Sequence, residues 1–364
     1  MLKDYRTRGR RAQYSMDEFF EKPAKARNFG TRVTTRLRIG HLSAVVIENE
    51  LVRMTILAGR GADVVEYLYK PTDLDFAWQT STGVRGNALP LDPKDDIDSF
   101  MNEYPGGWQT IFPNGGPPSQ SEGISYGQHA EVSVLPWDYE VLEDSAERVC
   151  VRFYVLTKKL PFRVEKIFTL ITGSTKCEIL ERVTNLSNEA HKTMWGFHFT
   201  YGPPFLSEDS KIRIEEPSQV IAHDYGTLSP VRRVGGAGEF RWPYGKDSKG
   251  QPIDFSSLPS RSTPSEMLYV HHLPSGCYRV ESASKSMAVE VRWDITLFPY
   301  LWYWQEYGYS KEAPWYGNHY NIGLEPFSSF PTSGIAEAIN NGTALSFAPN
   351  ETKTQLLSVE LFAL

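Results

Sequence analysis

The 364-residue chain has only three cysteines, Cys150, Cys177 and Cys277, an odd number without CxxC spacing. That excludes a disulfide scaffold and leaves zinc or iron–sulfur ligation without a motif. Cys150 and Cys177 each sit beside an apolar run and are expected as buried free thiols. No run approaches the roughly 20 apolar residues of a membrane span. The N-terminal stretch lacks the apolar core of a secretory signal. Arg10-Arg11 is followed by polar and charged residues, not by the apolar segment that twin-arginine export uses. A cytoplasmic protein without a membrane partner is expected. Nucleotide motifs are missing too: no GxGxxG opens a strand–helix unit and no GxxxxGK[ST] cradles phosphate. Neither a GxSxG elbow nor HExxH is present. No fixed-period repeat suggests a propeller or solenoid. With 38 basic against 44 acidic residues, the net charge of −6 argues against a nucleic-acid partner.

Aromatic residues are what the chain has in excess: 9 Trp, 19 Tyr and 19 Phe. They favour strands and offer flat platforms to sugars, bases and peptides, and composition does not choose among these. From Leu42 onward, short runs such as LSAVVIENE, VCVRFYVLT, CEILERVTNL and LLSVELFAL alternate apolar with polar residues, and Pro-Gly-Asn clusters separate them. The expected fold is all-β, a large antiparallel sandwich with few short helices. Residues 1–41 are expected as an arm, basic at Lys3, Arg6, Arg8, Arg10 and Arg11, with a helix over 16–28 broken at Pro23. Residues 42–364 then form one domain, with a long excursion from Gly235 to Thr263. In FRVEKIFTLIT the apolar residues hold no strict period, which predicts a bulge or burial of both faces.

Candidate chemistry rests on isolated His and carboxylate residues in aromatic and glycine-rich settings. His129, in SYGQHAEV, reads as a cleft residue at a loop–strand junction or as a structural imidazole bonded to a carbonyl. His198, in MWGFHFTYG, shares a strand face with Met194, Gly196 and Thr200, opposite Trp195, Phe197, Phe199 and Tyr201. It reads as a surface for a sugar or as a core histidine. Glu325, in NIGLEPF, is flanked by apolar residues and must be either paired or functional. Arg60, between two glycines, can hold an oxyanion or hydroxyl, or be a turn residue. Trp108, Gln109 and Asn114 lie in PGGWQTIFPNGG, whose glycines suggest a ligand loop. Trp304 and Gln305 lie in PYLWYWQEYG, part core stripe and part candidate platform. A metal-binding jelly roll is disfavoured, because His271-His272 are adjacent and no His-x-His precedes a Glu.

In this order, the GRGAD entry, the GGWQ…FPNGG loop, GQHAE, MWGFHFTYG and GLEPFSSFP resemble the aldose 1-epimerase (galactose mutarotase-like) superfamily, in a less characterised branch. The resemblance runs from about residue 42 to the C-terminus. It implies a β-supersandwich with a sugar in an open cleft, His198 as general acid and Glu325 as general base. It also implies His129 as a ring-binding residue, a small-molecule sugar as partner, and no cofactor or metal. Gly-Phe-His-Phe-Thr-Tyr stands where the family has Asn-His-x-Tyr-Phe-Asn. A homodimer, a non-catalytic sugar-binding protein, and another isomerase or lyase on the same scaffold remain open.

Overall fold

The structure is a computed structural model that describes residues 30–85, 96–224, 231–236 and 238–364. The expected helix over 16–28 and the basic N-terminal cluster lie outside the described residues. Three antiparallel sheets carry the fold. A five-stranded meander runs through Arg32–Ile39, Leu42–Glu48, Val52–Leu57, Asp63–Tyr69 and Leu74–Asp75. An eight-stranded sheet has the long last strand Thr352–Ala363 and Cys177–Asn185 at its centre, followed toward one edge by Phe162–Ile171 and Arg148–Leu156. A seven-stranded sheet is ordered Glu239–Arg241, Gln219–Ala222, Glu266–His271, Tyr300–Glu306, Asn321–Phe327, Gly196–Tyr201 and Gln109–Ile111. The described residues therefore form the expected all-β sandwich of antiparallel sheets. Two short α-helices, Asp98–Met101 and Ile335–Asn340, are present among the described residues. No helix there is long and apolar enough to cross a membrane.

The alternation in GFHFTY explains how the sheets stack. Odd positions turn inward: Phe199 lies 6.5 Å from Tyr278 of the eight-stranded sheet, and the Tyr201 and Tyr278 hydroxyls meet at 2.8 Å. Trp195 donates its indole N–H to Glu181 of the eight-stranded sheet at 2.9 Å. Even positions, His198 and Thr200, face the other way. One face of the seven-stranded sheet is thereby core, and the other is left to carry a cavity.

Several expectations are corrected. The boundary at residue 42 falls inside a hairpin, because Arg32–Ile39 pairs with Leu42–Glu48 through Ile39 opposite Leu42. Of the two alternatives for Phe162–Ile171, the bulge is absent, because the strand pairs in unbroken register on both sides. Burial of both faces holds instead, with the neighbouring Glu165 and Lys166 both buried. Lys166 is accommodated by donating to the carbonyls of Gly61 and Ala62 at 3.2 and 3.1 Å, with its ammonium 5.0 Å from the Trp137 ring. The Gly235–Thr263 stretch is not a bare excursion: Glu239–Arg241 extends the seven-stranded sheet, and Tyr244–Lys246 pairs with Pro252–Asp254. Cys150 and Cys177 are buried free thiols as expected, and Cys277 is half-buried.

Candidate active site

Strand register assembles one row of side chains on the outward face of the seven-stranded sheet. Tyr269 lies opposite Trp302, and Trp302 opposite Glu325. Gly196 lies opposite Phe327 and Phe199 opposite Leu324, which puts His198 across from Glu325. His198 in turn pairs with Gln109. Directly opposed residues of neighbouring strands point to the same face, so residues from five strands meet in line. The glycine in GLEP serves this row: a Cβ at Gly323 would lie 2.6 Å from Oε1 of Glu325.

His198 Nε2 and Glu325 Oε1 are 3.4 Å apart, and both side chains are buried. Burial pushes the Glu325 carboxyl well above its usual range. Burial, with the neighbouring His129, pushes the His198 imidazole well below its own. Desolvation penalises each charged form and so favours a neutral acid beside a neutral imidazole over the ion pair, with one dissociable proton between them. Glu325 Oε2 and His198 Nδ1 have no hydrogen-bond partner among the described residues. The pair lies at a cavity of about 570 Å³ whose lining includes His129, His223, Tyr104, Met267, Trp302 and Trp304.

His129 is held from behind. The backbone N–H of Gly116 donates to its Nδ1 at 3.1 Å, which sets the neutral tautomer with the proton on Nε2. Its ring stands 5.7 Å from that of His198 and 4.9 Å from Phe100. Burial lowers its pKa to about 4, so it stays a neutral donor through the physiological range. His129 itself adopts a left-handed backbone, φ 48°, an uncommon conformation for a residue with a side chain.

Of the nine residues singled out from the sequence, the cavity gathers His129, His198, Trp304 and Glu325. The other five do not line the cavity, and each has a structural task. Trp108 is fully buried, donates its indole N–H to Thr200 O at 3.1 Å and packs on Tyr67 and Phe199. Gln109 donates to the Gly106 carbonyl at 2.5 Å. The Asn114 amide bonds Pro117 O and Gly127 O, and its oxygen accepts the Ile335 N–H at 2.8 Å, tying the loop to the second helix. Gln305 accepts from Arg233 on the core-facing side of its strand. Arg60 is buried behind the cavity wall, 3.8 Å from Asp63 and bonded weakly to Phe100 O. The glycines of PGGWQ permit close backbone passage instead of ligand access: a Cβ at Gly106 would meet Trp78 O at 2.5 Å, and at Gly107 Val64 O at 2.3 Å.

Sequence reasoning missed Tyr104 and His223. Tyr104 sets its ring perpendicular to His198, centroids 5.9 Å apart. His223 Nδ1 meets the Tyr269 hydroxyl at 2.8 Å, and that oxygen accepts the Thr332 N–H at 2.9 Å. Neither sits in a recognisable motif: Tyr104 follows the helix Asp98–Met101, and His223 directly follows the strand Gln219–Ala222. Among the described residues, no group of three His, Cys, Asp or Glu side chains is placed to hold a metal ion.

A family model described as "Domain of unknown function (DUF4432)" matches residues 41–227. No curated protein matches the sequence. Solved structures share the fold at low identity. A "putative aldose 1-epimerase" from Klebsiella pneumoniae superposes with a TM-score of 0.69 at 14% identity, covering 92% of this chain and 88% of its own. A galactose mutarotase-like protein from Clostridium acetobutylicum gives 0.65 at 14% identity, covering 92% and 99%. A galactose mutarotase related enzyme from Lactobacillus acidophilus gives 0.57 at 15%, covering 88% and 97%.

Proposed function

The chain belongs to the DUF4432 family, and from that premise we propose that it is a cofactor-independent aldose 1-epimerase-like enzyme, interconverting the anomers of a sugar. The observation that carries this reading is the buried His198–Glu325 contact of 3.4 Å at the cavity. Mutarotation needs a base for the proton on the anomeric O1 and an acid for the ring oxygen. As O1–H breaks, the C1=O bond forms, the C1–O5 bond opens and O5 takes a proton. Rotation about C1–C2 and the reverse transfers close the ring on its other face. A pair holding one proton between two sites supplies one donor and one acceptor, as each half-cycle requires.

Glu325 is the base and His198 the acid in the form that carries the proton on the imidazole. Sugar hydroxyls entering the cavity supply the hydrogen bonds that an ionised Glu325 lacks in the empty site, shifting the shared proton toward His198. His129 donates from Nε2 to a ring hydroxyl, and the Trp304 indole beside His198 offers an apolar sugar face its partner. The protein is proposed to work in the cytoplasm on a small-molecule sugar.

The test is the rate of anomer exchange, followed by polarimetry or NMR across a panel of aldoses. Accelerated exchange that collapses in both His198→Ala and Glu325→Gln supports the reading. Rates unchanged by either substitution overturn it.

A further inference from the structure

The cavity over the His198–Glu325 pair is larger than one sugar ring needs, and apolar side chains make up part of its lining. Its volume of about 570 Å³ falls within the roughly 300–1,000 Å³ of pockets that enclose drug-sized ligands. A single pyranose is well below that size. The reactive polar groups, His129, His198 and Glu325, belong to one region, joined by ring and ion contacts.

Two other segments contribute a different surface. Ile97, Phe100 and Met101 all line the cavity. They are spaced i, i+3, i+4 around the short helix Asp98–Met101, so they share one face of it. Ala313, Pro314 and Trp315 line it from the loop before the Glu325 strand. Asp98 and Glu312 also line it, but both are exposed. A bare pyranose bears hydroxyls around its whole rim. Asn102, Gln128, Thr332 and Ser333 add polar groups to the lining, but hydroxyls set directly against the side chains of Phe100, Met101 and Trp315 lose water without gaining partners, at about 1–3 kcal/mol each. A second ring that presents an apolar face fits these walls at no such cost, and aromatic side chains favour it.

We infer that the substrate is a reducing sugar extended by a second ring. The reducing ring meets His198 and Glu325, and the apolar face of the second ring packs on Phe100, Met101 and Trp315. This rests on the acid/base reading above for the placement of the reducing end. The second ring's apolar face can come from the C–H side of a glycosyl unit or from an aryl group.

The test compares D-glucose with cellobiose and with 4-O-benzyl-D-glucose, measuring anomer exchange by NMR and binding by saturation transfer. An exchange efficiency at least tenfold higher for one extended sugar supports the inference, and which one wins identifies the source of the ring. Met101→Ala and Ile97→Ser, the latter at an exposed position that should not disturb folding, are expected to cut that preference several-fold. Equal or better handling of glucose overturns the inference and leaves the acid/base reading in place. If no sugar exchanges faster with the parent than with Glu325→Gln, the acid/base reading falls. Binding then decides: tighter capture of an extended sugar, lost in Met101→Ala, sustains the extended substrate, and equal binding overturns it.

Discussion

Gly116 orients His129: its N–H meets Nδ1 at 3.1 Å, and it does so from φ 95°, with no room for a side chain. A Cβ there would lie 2.7 Å from the Thr332 carbonyl. Gly116→Ala is therefore expected to destabilise the protein by more than about 1 kcal/mol and to weaken sugar binding by displacing His129. Gly123 is the control. It too has positive φ, but a Cβ there meets nothing within 4 Å, so its alanine variant carries the backbone cost alone. Thermal melts and sugar titrations of the two variants separate strain from the loss of orientation. Similar binding by both would contradict the assigned role of Gly116.

Removing either member of the central pair should cost anomer exchange roughly 10²–10⁴-fold, the range of a general acid or base. Glu325→Gln retains shape and burial, and it is expected to fold like the parent. A loss in His198→Ala with none in Glu325→Gln would remove Glu325 from the chemistry.

The pH profile follows from the direction of the two shifts. Activity needs a single proton on the pair. Burial lowers the affinity of His198 for a second proton, so the acid limb of kcat/KM should lie below pH 6.5, the ordinary imidazole value. A limb at or above 6.5 would show an imidazole that behaves as if it were solvated.

Asp63 offers a test of the core beneath the cavity. Burial raises its pKa from 3.8 to about 7, against the opposing pull of Arg60 and Lys166. The folded state thus holds a proton that the unfolded chain releases near pH 4. Stability from this group is present at low pH and declines as pH rises through about 7. Relative to Asp63→Asn, the parent should lose melting temperature between pH 4 and 7 and change little above. A difference that is flat with pH would refute the assignment.

Trp108 and Trp304 should fail in different ways. Trp108→Ala opens the core, at about 3–5 kcal/mol. Trp304→Phe keeps most of the packing but gives up an indole that borders His198, so KM should rise while the melting temperature barely moves. Denaturation curves beside kinetics distinguish the two.

Strand alternation made much of this fold legible. The phase of GFHFTY separates His198 from Phe197 and Phe199, and the structure keeps that separation. GLEP marked Glu325 by the cost of a lone carboxylate among apolar neighbours. What stayed hidden depended on contacts between distant segments. Lys166 breaks its strand's pattern because the Gly61 and Ala62 carbonyls, more than a hundred residues earlier, receive its ammonium. Tyr104 and His223 reach the cavity from segments without motifs. The glycines near Trp108 were misread because composition shows their freedom but not the Trp78 and Val64 carbonyls that require it.

The row that holds Glu325 and His198 is made by hydrogen-bonded strands, while Ile97 to Met101 and Ala313 to Trp315 belong to connections at its border. Reaction and preference are thereby written in separable stretches of chain. Drift in the connections can retune which molecule is accepted without disturbing the register that aligns the proton pair. Grafting those two connections between relatives is accordingly a route to new preferences on an unaltered reactive strand row.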